Sequence, residues 1–204
     1  MPSCVIRPYR PEDRDALYDI CRRTGANGGD ARSLYQDQDL LPDIFAGPYA
    51  FLEPGLTFVL DDSGRVVGYV LGTSDTARYS QEVRDKWLPL VADKHPLPGG
   101  EPGTPDAAMT EYLHHPELIG HPAVADYPAH LHIDLLPGYQ GHGYGRALLN
   151  TLFAALAKAG ADRVHLVMST ANTGARIFYD RMGFHRIPVP DRPELTFLGR
   201  STAV

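Results

Sequence analysis

Between residues 140 and 145 the chain reads Gln-Gly-His-Gly-Tyr-Gly, a density of glycine that lets backbone N–H groups crowd onto a ligand. The flanking segments say where those glycines stand. Leu131, Ile133 and Leu135 alternate with the period of a strand that has one buried face, and Pro137-Gly138 ends it. After the glycines, Leu148, Leu149, Leu152, Phe153 and Leu156 recur at three- and four-residue steps, the spacing of an amphipathic helix, with Gly160 at its stop. A strand, a glycine-rich turn and a helix start in that order aim unpaired N–H groups and the positive end of the helix dipole at one point. The chemistry of such a point is phosphate binding. Spacing excludes two phosphate loops: the third glycine of G-x-G-x-x-G is replaced by Arg146 or Leu148 according to the starting glycine, and no Gly-Lys-Ser/Thr ending is present.

A second cluster follows about thirty residues later. Val164-His165-Leu166-Val167-Met168 reads as a buried strand, and after it come Asn172, Ala175, Tyr179, Gly183 and Phe184. Gln140-x-x-Gly143-x-Gly145 resembles the Gln/Arg-x-x-Gly-x-Gly/Ala motif of the GNAT superfamily of N-acetyltransferases. The second cluster resembles that family's Asn-x-x-Ala-x-x-x-Tyr-x-x-x-Gly-Phe. Over roughly the first 80 residues, Asp39-Leu40-Leu41, Ala46-Gly47-Pro48-Tyr49, Thr57-Phe58-Val59-Leu60 and Gly68-Tyr69-Val70-Leu71-Gly72-Thr73 add a further resemblance. It is to the acetyltransferase-like C-terminal domain of animal O-GlcNAc hydrolases and its free-standing bacterial relatives. That animal domain departs from the glycine-loop motif; this chain keeps Gln140, Gly143 and Gly145.

The resemblance implies an α/β (α+β) GNAT fold: a mixed sheet of about seven strands, splayed between the fourth and fifth and flanked by helices. It implies one domain over residues 1–204 and acetyl-CoA as co-substrate in the splay between the strand ending at Leu136 and the strand ending at Met168. Ile133, Leu135 and Leu136 would pair their backbone with the pantetheine arm and polarise the thioester carbonyl. Gln140, Gly141, His142, Gly143, Tyr144, Gly145 and Arg146 would hold the pyrophosphate through their N–H groups, and a side chain at Gly143 or Gly145 would push that backbone off the phosphate. Asn172, Ala175 and Phe178 would line the far side. The activity implied is acetyl transfer to a primary amine, a peptide lysine or a small amine, by direct attack without a covalent enzyme intermediate. A non-catalytic acetyl-CoA-binding or peptide-binding module is the alternative.

In the family Tyr179 would face the departing thiolate. A phenol near pKa 10 and a thiol near 8.5 make full proton transfer uphill by about 2 kcal/mol, so Tyr179 is expected mainly to donate a hydrogen bond. An alkylammonium with a pKa of about 10.4 must lose a proton before it attacks. His130, His132 and Asp134 alternate on the central strand, so a regular strand points all three one way. His132 and Asp134 are the candidate bases; the bland reading of both is a hydrogen-bonded pair that holds the sheet.

Composition sets outer limits. A length of 204 residues suits one domain of ordinary size, and a 43% apolar, 22% charged composition is that of a soluble globular protein. No run of eighteen apolar residues occurs, so no membrane span is expected. The start, Met1 to Arg7, lacks the pattern of a signal peptide, which points to the cytoplasm. Cys4 and Cys21 are too few for a disulfide framework and read as reduced core residues. A net charge of −6 argues against direct nucleic-acid binding, and a homodimer is compatible with the resemblance.

The remaining chain predicts a strand over Cys4–Arg7, a helix after Pro11 and an interrupted helix over Ser33–Phe51 that Pro42 opens or kinks. A hairpin follows around Asp61-Asp62-Ser63-Gly64, then a helix over Tyr79–Val91, and the last strands fall at His185–Pro188 and Leu195–Leu198. The Pro/Gly/His-rich insertion at about 93–127 reads as a lid or mobile segment, with a short helix over Pro105–Leu118. Six of nine histidines, His95, His114, His115, His121, His130 and His132, lie in or just after it. Their spacing matches no metal motif, so no metal is expected, although a metal-dependent hydrolase is the third reading. Tyr35, Tyr49, Tyr79, Trp87 and the insertion are the candidate acceptor groove.

Overall fold

The structure, a computed structural model, describes residues 4–204; Met1, Pro2 and Ser3, the start of the segment read for a signal peptide, lie outside the described residues. β1 (Cys4–Pro8) passes through a turn at Pro11–Asp13 into α1 (Arg14–Thr24), followed by α2 (Leu40–Phe45) and α3 (Gly47–Leu52). The hairpin of β2 (Thr57–Asp62) and β3 (Arg65–Thr73) turns on Ser63 and Gly64, both at positive φ (54° and 91°). Two successive positive φ values give the two-residue turn whose twist matches its strands. α4 (Thr76–Glu82) and α5 (Leu88–Val91) are joined by a π-turn, and α6 (Pro105–His114) lies in the insertion. Then come β4 (Ala129–Leu135), α7 (Tyr144–Lys158), β5 (Arg163–Ser169), α8 (Thr173–Arg181), β6 (His185–Ile187) and β7 (Leu195–Ser201).

The seven strands form one mixed sheet in the order β1-β2-β3-β4-β5-β7-β6. β4 and β5 are parallel and pair only at Ala129↔Val164 and His130↔His165; the other pairings are antiparallel. Beyond those two pairs the strands diverge, which is the splay expected between the fourth and fifth strands. α7 covers one face of the sheet with Leu148, Leu149, Leu152, Phe153 and Leu156, all fully buried. Gly160 (φ 87°) ends α7 with Ala161 N–H on Leu156 O and Gly160 N–H on Ala157 O, both 3.0 Å, the two bonds of a Schellman stop.

α1, α2 and α3 cover the other face. β4 is therefore buried on both sides, not one: His130 is 4% exposed and packs edge-on against Tyr49 of α3 and Tyr79 of α4. The helix expected over Ser33–Phe51 is shorter and breaks elsewhere. Pro42 sits inside the first turn of α2, where its missing N–H costs nothing. The break falls at Ala46 (φ −131°, ψ −57°), where Gly47 comes so close to Tyr18 and Trp87 that a Cβ would collide with both.

The insertion is fastened to the helices at its start. Asp43, fully buried on α2, accepts from the Tyr18 hydroxyl, from Lys94 Nζ at 2.6 Å and from His95 Nε2 at 2.9 Å. Trp87 Nε1 donates to the Asp43 carbonyl at 2.7 Å, and His95 Nδ1 lies 2.6 Å from Asp37 Oδ2. Trp87 is thus spent on the core. The helix read as Pro105–Leu118 ends at His114, and Pro116–Ile119 forms a separate turn. Removing one member of a buried charged cluster strands the others. Asp43→Ala is expected to lower unfolding stability by about 3 kcal/mol in urea titration, whereas Asp19→Ala, which breaks the exposed pair with Arg23, is expected to cost no more than about 0.5 kcal/mol.

Candidate active site

The splay leaves backbone groups of β4 without strand partners. Leu136 N–H bonds Val67 O at 3.0 Å, and β3 and β4 are in regular antiparallel register. By the alternation of such a pair, the groups of Asp134 and His132 also face β3, and those of Ile133 face the open side. Leu135 O accepts the Gln140 side-chain amide at 2.9 Å, which ties the glycine loop to the end of the strand.

Gly141 (φ 77°) and Gly143 (φ 86°) are left-handed, a conformation that disfavours any residue with a Cβ. No protein atom lies within 4 Å of their Cβ positions, so within the protein the constraint at Gly143 is backbone shape. Gly143 caps α7 with no side-chain bond to the first turn, so the first-turn N–H groups of Tyr144, Gly145 and Arg146 have no intrahelical acceptors. At Gly145 the constraint is bulk: a Cβ would come within 3.1 Å of the Phe178 ring of α8. Asn172 caps α8 by accepting from Ala175 N–H at 3.1 Å, which sets the opposite wall.

A cleft of about 660 Å³ runs along these elements. Ile133, Asp134, Leu135, Gln140, Gly141, Gly143, Gly145 and Arg146 line one side, with Asn172, Ala175, Phe178 and Tyr179 opposite. Leu136, His142 and Tyr144, also expected here, do not line it. Leu136 is bound into the sheet, His142 bends back onto Gln140 O at 2.7 Å, and Tyr144 stacks beside His142. Thr24, Asn27, Gly28, Met168 and Arg181 line it too. Thr24 is the last residue of α1, and Asn27 and Gly28 follow it at positive φ; the Asn27-Gly28 pair is the turn signal that could have found this edge of the cleft. Uncapped N–H groups, two left-handed glycines and the cations Arg146 and Arg181 suit a long ligand that carries phosphates.

Nearer the apex of the splay is a smaller chamber of about 50 Å³ lined by Phe45, Tyr49, Tyr112, Ile119, His132 and His165 among others. Of the expected acceptor groove only Tyr49 and parts of the insertion reach it. Tyr79 is fully buried behind Tyr49, stacked at 4.5 Å, and Tyr35 lies in a separate surface hollow. His165 is absent from the sequence-based expectation, and Tyr112 enters it only as part of the insertion, because a strand histidine and a helix tyrosine carry no local signature of a site.

His130, His132 and Asp134 do share one face of β4, and burial treats them oppositely. Burial pushes the Asp134 carboxyl up to about 6, against the Tyr69 hydroxyl that donates to it at 2.7 Å. Burial, helped by His165, pulls His132 down to about 4, and His130 is driven well below the usual imidazole range. Tyr179 is raised, chiefly by burial and further by the Asp134 charge. Near neutral pH the site therefore holds an ionised carboxylate, neutral imidazoles and a protonated phenol. Among the described residues no group of three or more metal-ligating side chains converges.

Residues 15–184 match the model of the acetyltransferase (GNAT) family. The chain belongs to that family. A crystal structure named SsHAT is 56% identical over 100% of both chains, with a TM-score of 0.95. The protein O-GlcNAcase of Rattus norvegicus is 25% identical over 202 residues, 97% of this chain. The chain spans only 22% of that relative's length. The fold is shared with the PaiA N-acetyltransferase of Thermoplasma acidophilum in complex with coenzyme A, at 13% identity, 98% and 99% coverage and a TM-score of 0.60. The family transfers acetyl groups, and GNAT structures of the same fold hold coenzyme A or acetyl-CoA.

The two glycine constraints are separable. Gly145→Ala is expected to weaken coenzyme A binding about tenfold by calorimetry, since overpacking of this kind costs about 1–3 kcal/mol, and Phe178→Leu in the same chain should restore most of it. Gly143→Ala is expected to be as harmful with Phe178→Leu as without it.

Proposed function

We propose that this protein is an acetyl-CoA-dependent N-acetyltransferase that acetylates a primary amine, a peptide lysine or a small amine, by direct attack. The observation that carries the reading is the pairing of an anion-ready cleft with an adjoining aromatic chamber along one splay, with His132 and Asp134 on the strand between them. Acetyl-CoA brings an activated acetyl group as a thioester. Arg146 and the N–H groups of Gly143 to Arg146 would hold its phosphates, and the Ile133 N–H would polarise the thioester carbonyl. Fixed donors aimed at a developing oxyanion usually contribute more to acyl transfer than any other single effect.

Of the two candidate bases, magnitudes favour Asp134. Burial raises the Asp134 carboxyl to about 6 and lowers the His132 imidazole to about 4, so Asp134 takes up a proton more readily than His132. Asp134 takes the proton that the ammonium must lose before it attacks; as the C–N bond forms and the C–S bond breaks, the second proton shed by the nitrogen passes to the departing thiolate, which leaves as the thiol. Tyr179, kept protonated by burial and by Asp134, donates a hydrogen bond to the departing sulfur. His132, neutral across the working range, accepts a hydrogen bond from the amine and orients it.

The test is kinetic, with acetyl-CoA and an acceptor found by screening primary amines and lysine peptides. Wild-type kcat/KM is expected to fall as pH drops through about 6, because the folded protein must release the Asp134 proton to work. Asp134→Asn should lower kcat about a hundredfold or more, and Tyr179→Phe about thirtyfold. Full activity of Asp134→Asn would refute the assignment.

A further inference from the structure

One chain of hydrogen bonds runs away from the chamber into the core. His132 Nε2 lies 3.0 Å from Tyr49 Oη, which lies 2.7 Å from His130 Nε2. His130 Nδ1 lies 2.8 Å from Thr76 Oγ1, which lies 2.8 Å from Pro128 O. A carbonyl oxygen only accepts, and each hydroxyl has a single proton. Thr76 must therefore donate to Pro128, which obliges His130 to carry its proton on Nδ1 and donate to Thr76. His130 is buried and neutral, so its Nε2 accepts from Tyr49. Tyr49, its proton spent, accepts from His132, which must carry its proton on Nε2. The reverse order would leave two oxygens 2.8 Å apart with no proton between them.

Every proton in the row is thus set from its far end. The carbonyl of Pro128 neither gives nor keeps a proton, so the row offers no exit to solvent: it orders protons and does not export them. His132 Nδ1 is left with its lone pair and no protein partner among the described residues. It is not a buried orphan, since among the described residues the buried side-chain polar atom lacking a partner is Tyr79 Oη. Nδ1 therefore borders open space, and the space beside His132 is the aromatic chamber. We infer that Tyr49, His130 and Thr76 are positioning residues that hold His132 as the Nε2–H tautomer, so that its Nδ1 lone pair grips the amine of the acceptor; the gripping part rests on the amine-acetylating reading above.

Long-range proton–nitrogen correlation spectra of protein labelled with 15N-histidine read the tautomers directly, without any turnover. His132 is expected as Nε2–H and His130 as Nδ1–H near neutral pH. Titration with n-butylamine, the probe for the acceptor, is expected to shift the His132 Nδ1 resonance saturably. Thr76→Val should give mixed tautomers at both histidines and weaken the butylamine response about fivefold, the worth of one hydrogen bond. Thr76→Ser should restore both. If Thr76→Val does not fold, Tyr49→Phe serves the same purpose, with mixing expected at His132. An Nδ1–H tautomer at His132 in the wild type, or a Val variant whose tautomers match the wild type, would overturn the relay. Correct tautomers with an Nδ1 signal that ignores butylamine would overturn the grip on the amine. Correct tautomers in a protein that transfers no acetyl group would leave the relay standing and count against the enzymatic reading instead.

Discussion

The parallel pairing of β4 and β5 stops after two residue pairs, and the rest of the molecule answers that one interruption. A sheet that parts in its middle exposes backbone donors and acceptors of two central strands, groups that are costly to leave unmet. The chain meets part of this need itself: Gln140 folds back onto Leu135 O, and Asn172 caps α8. What it leaves open, the Ile133 groups and the first turn of α7, lies along one cleft. Elements far apart in sequence converge there because the divergence of the two strands gives α7 and α8 their separation. Phe178 against Gly145 fixes how closely the helix ends approach.

The same geometry explains why neighbouring residues of one strand behave differently in acid and base. Alternation places His130, His132 and Asp134 on one face, where helices α1 to α3 cover them. Low polarity disfavours charge of either sign, so the carboxyl is raised and the imidazoles lowered. Burial therefore opens a pH range in which the carboxylate alone is charged. The carboxylate in turn opposes ionisation of Tyr179. A proton acceptor and a hydrogen-bond donor can thus coexist across one splay without neutralising each other.

The wall of the cleft is legible in the sequence and that of the chamber is not, for a physical reason. The wall of the cleft is built from contiguous stretches whose chemistry is local: left-handed glycines, a helix start and a capping asparagine. Each writes its requirement into neighbouring positions. The chamber draws single residues from α2, α3, α6, β4 and β5, each of which also obeys an ordinary core pattern, so Tyr112 and His165 look like packing. The insertion hides its fastening for a related reason. Its prolines and glycines suggest looseness, while the contacts that fasten it, His95 and Lys94 on Asp43, depend on a carboxylate some fifty residues earlier. Within the protein, bulk is the constraint at Gly145 and backbone handedness is the constraint at Gly143.

Everything above depends on the splay holding acetyl-CoA along β4 and the start of α7. Amide resonances of the wild-type protein followed during titration with acetyl-CoA test this residue by residue. Saturable shifts are expected at Ile133, across Gly141 to Arg146 and at the start of α8, with little change in β1 or in the Asp43 cluster. Saturable shifts confined to another face, or none at all at millimolar acetyl-CoA, would contradict it.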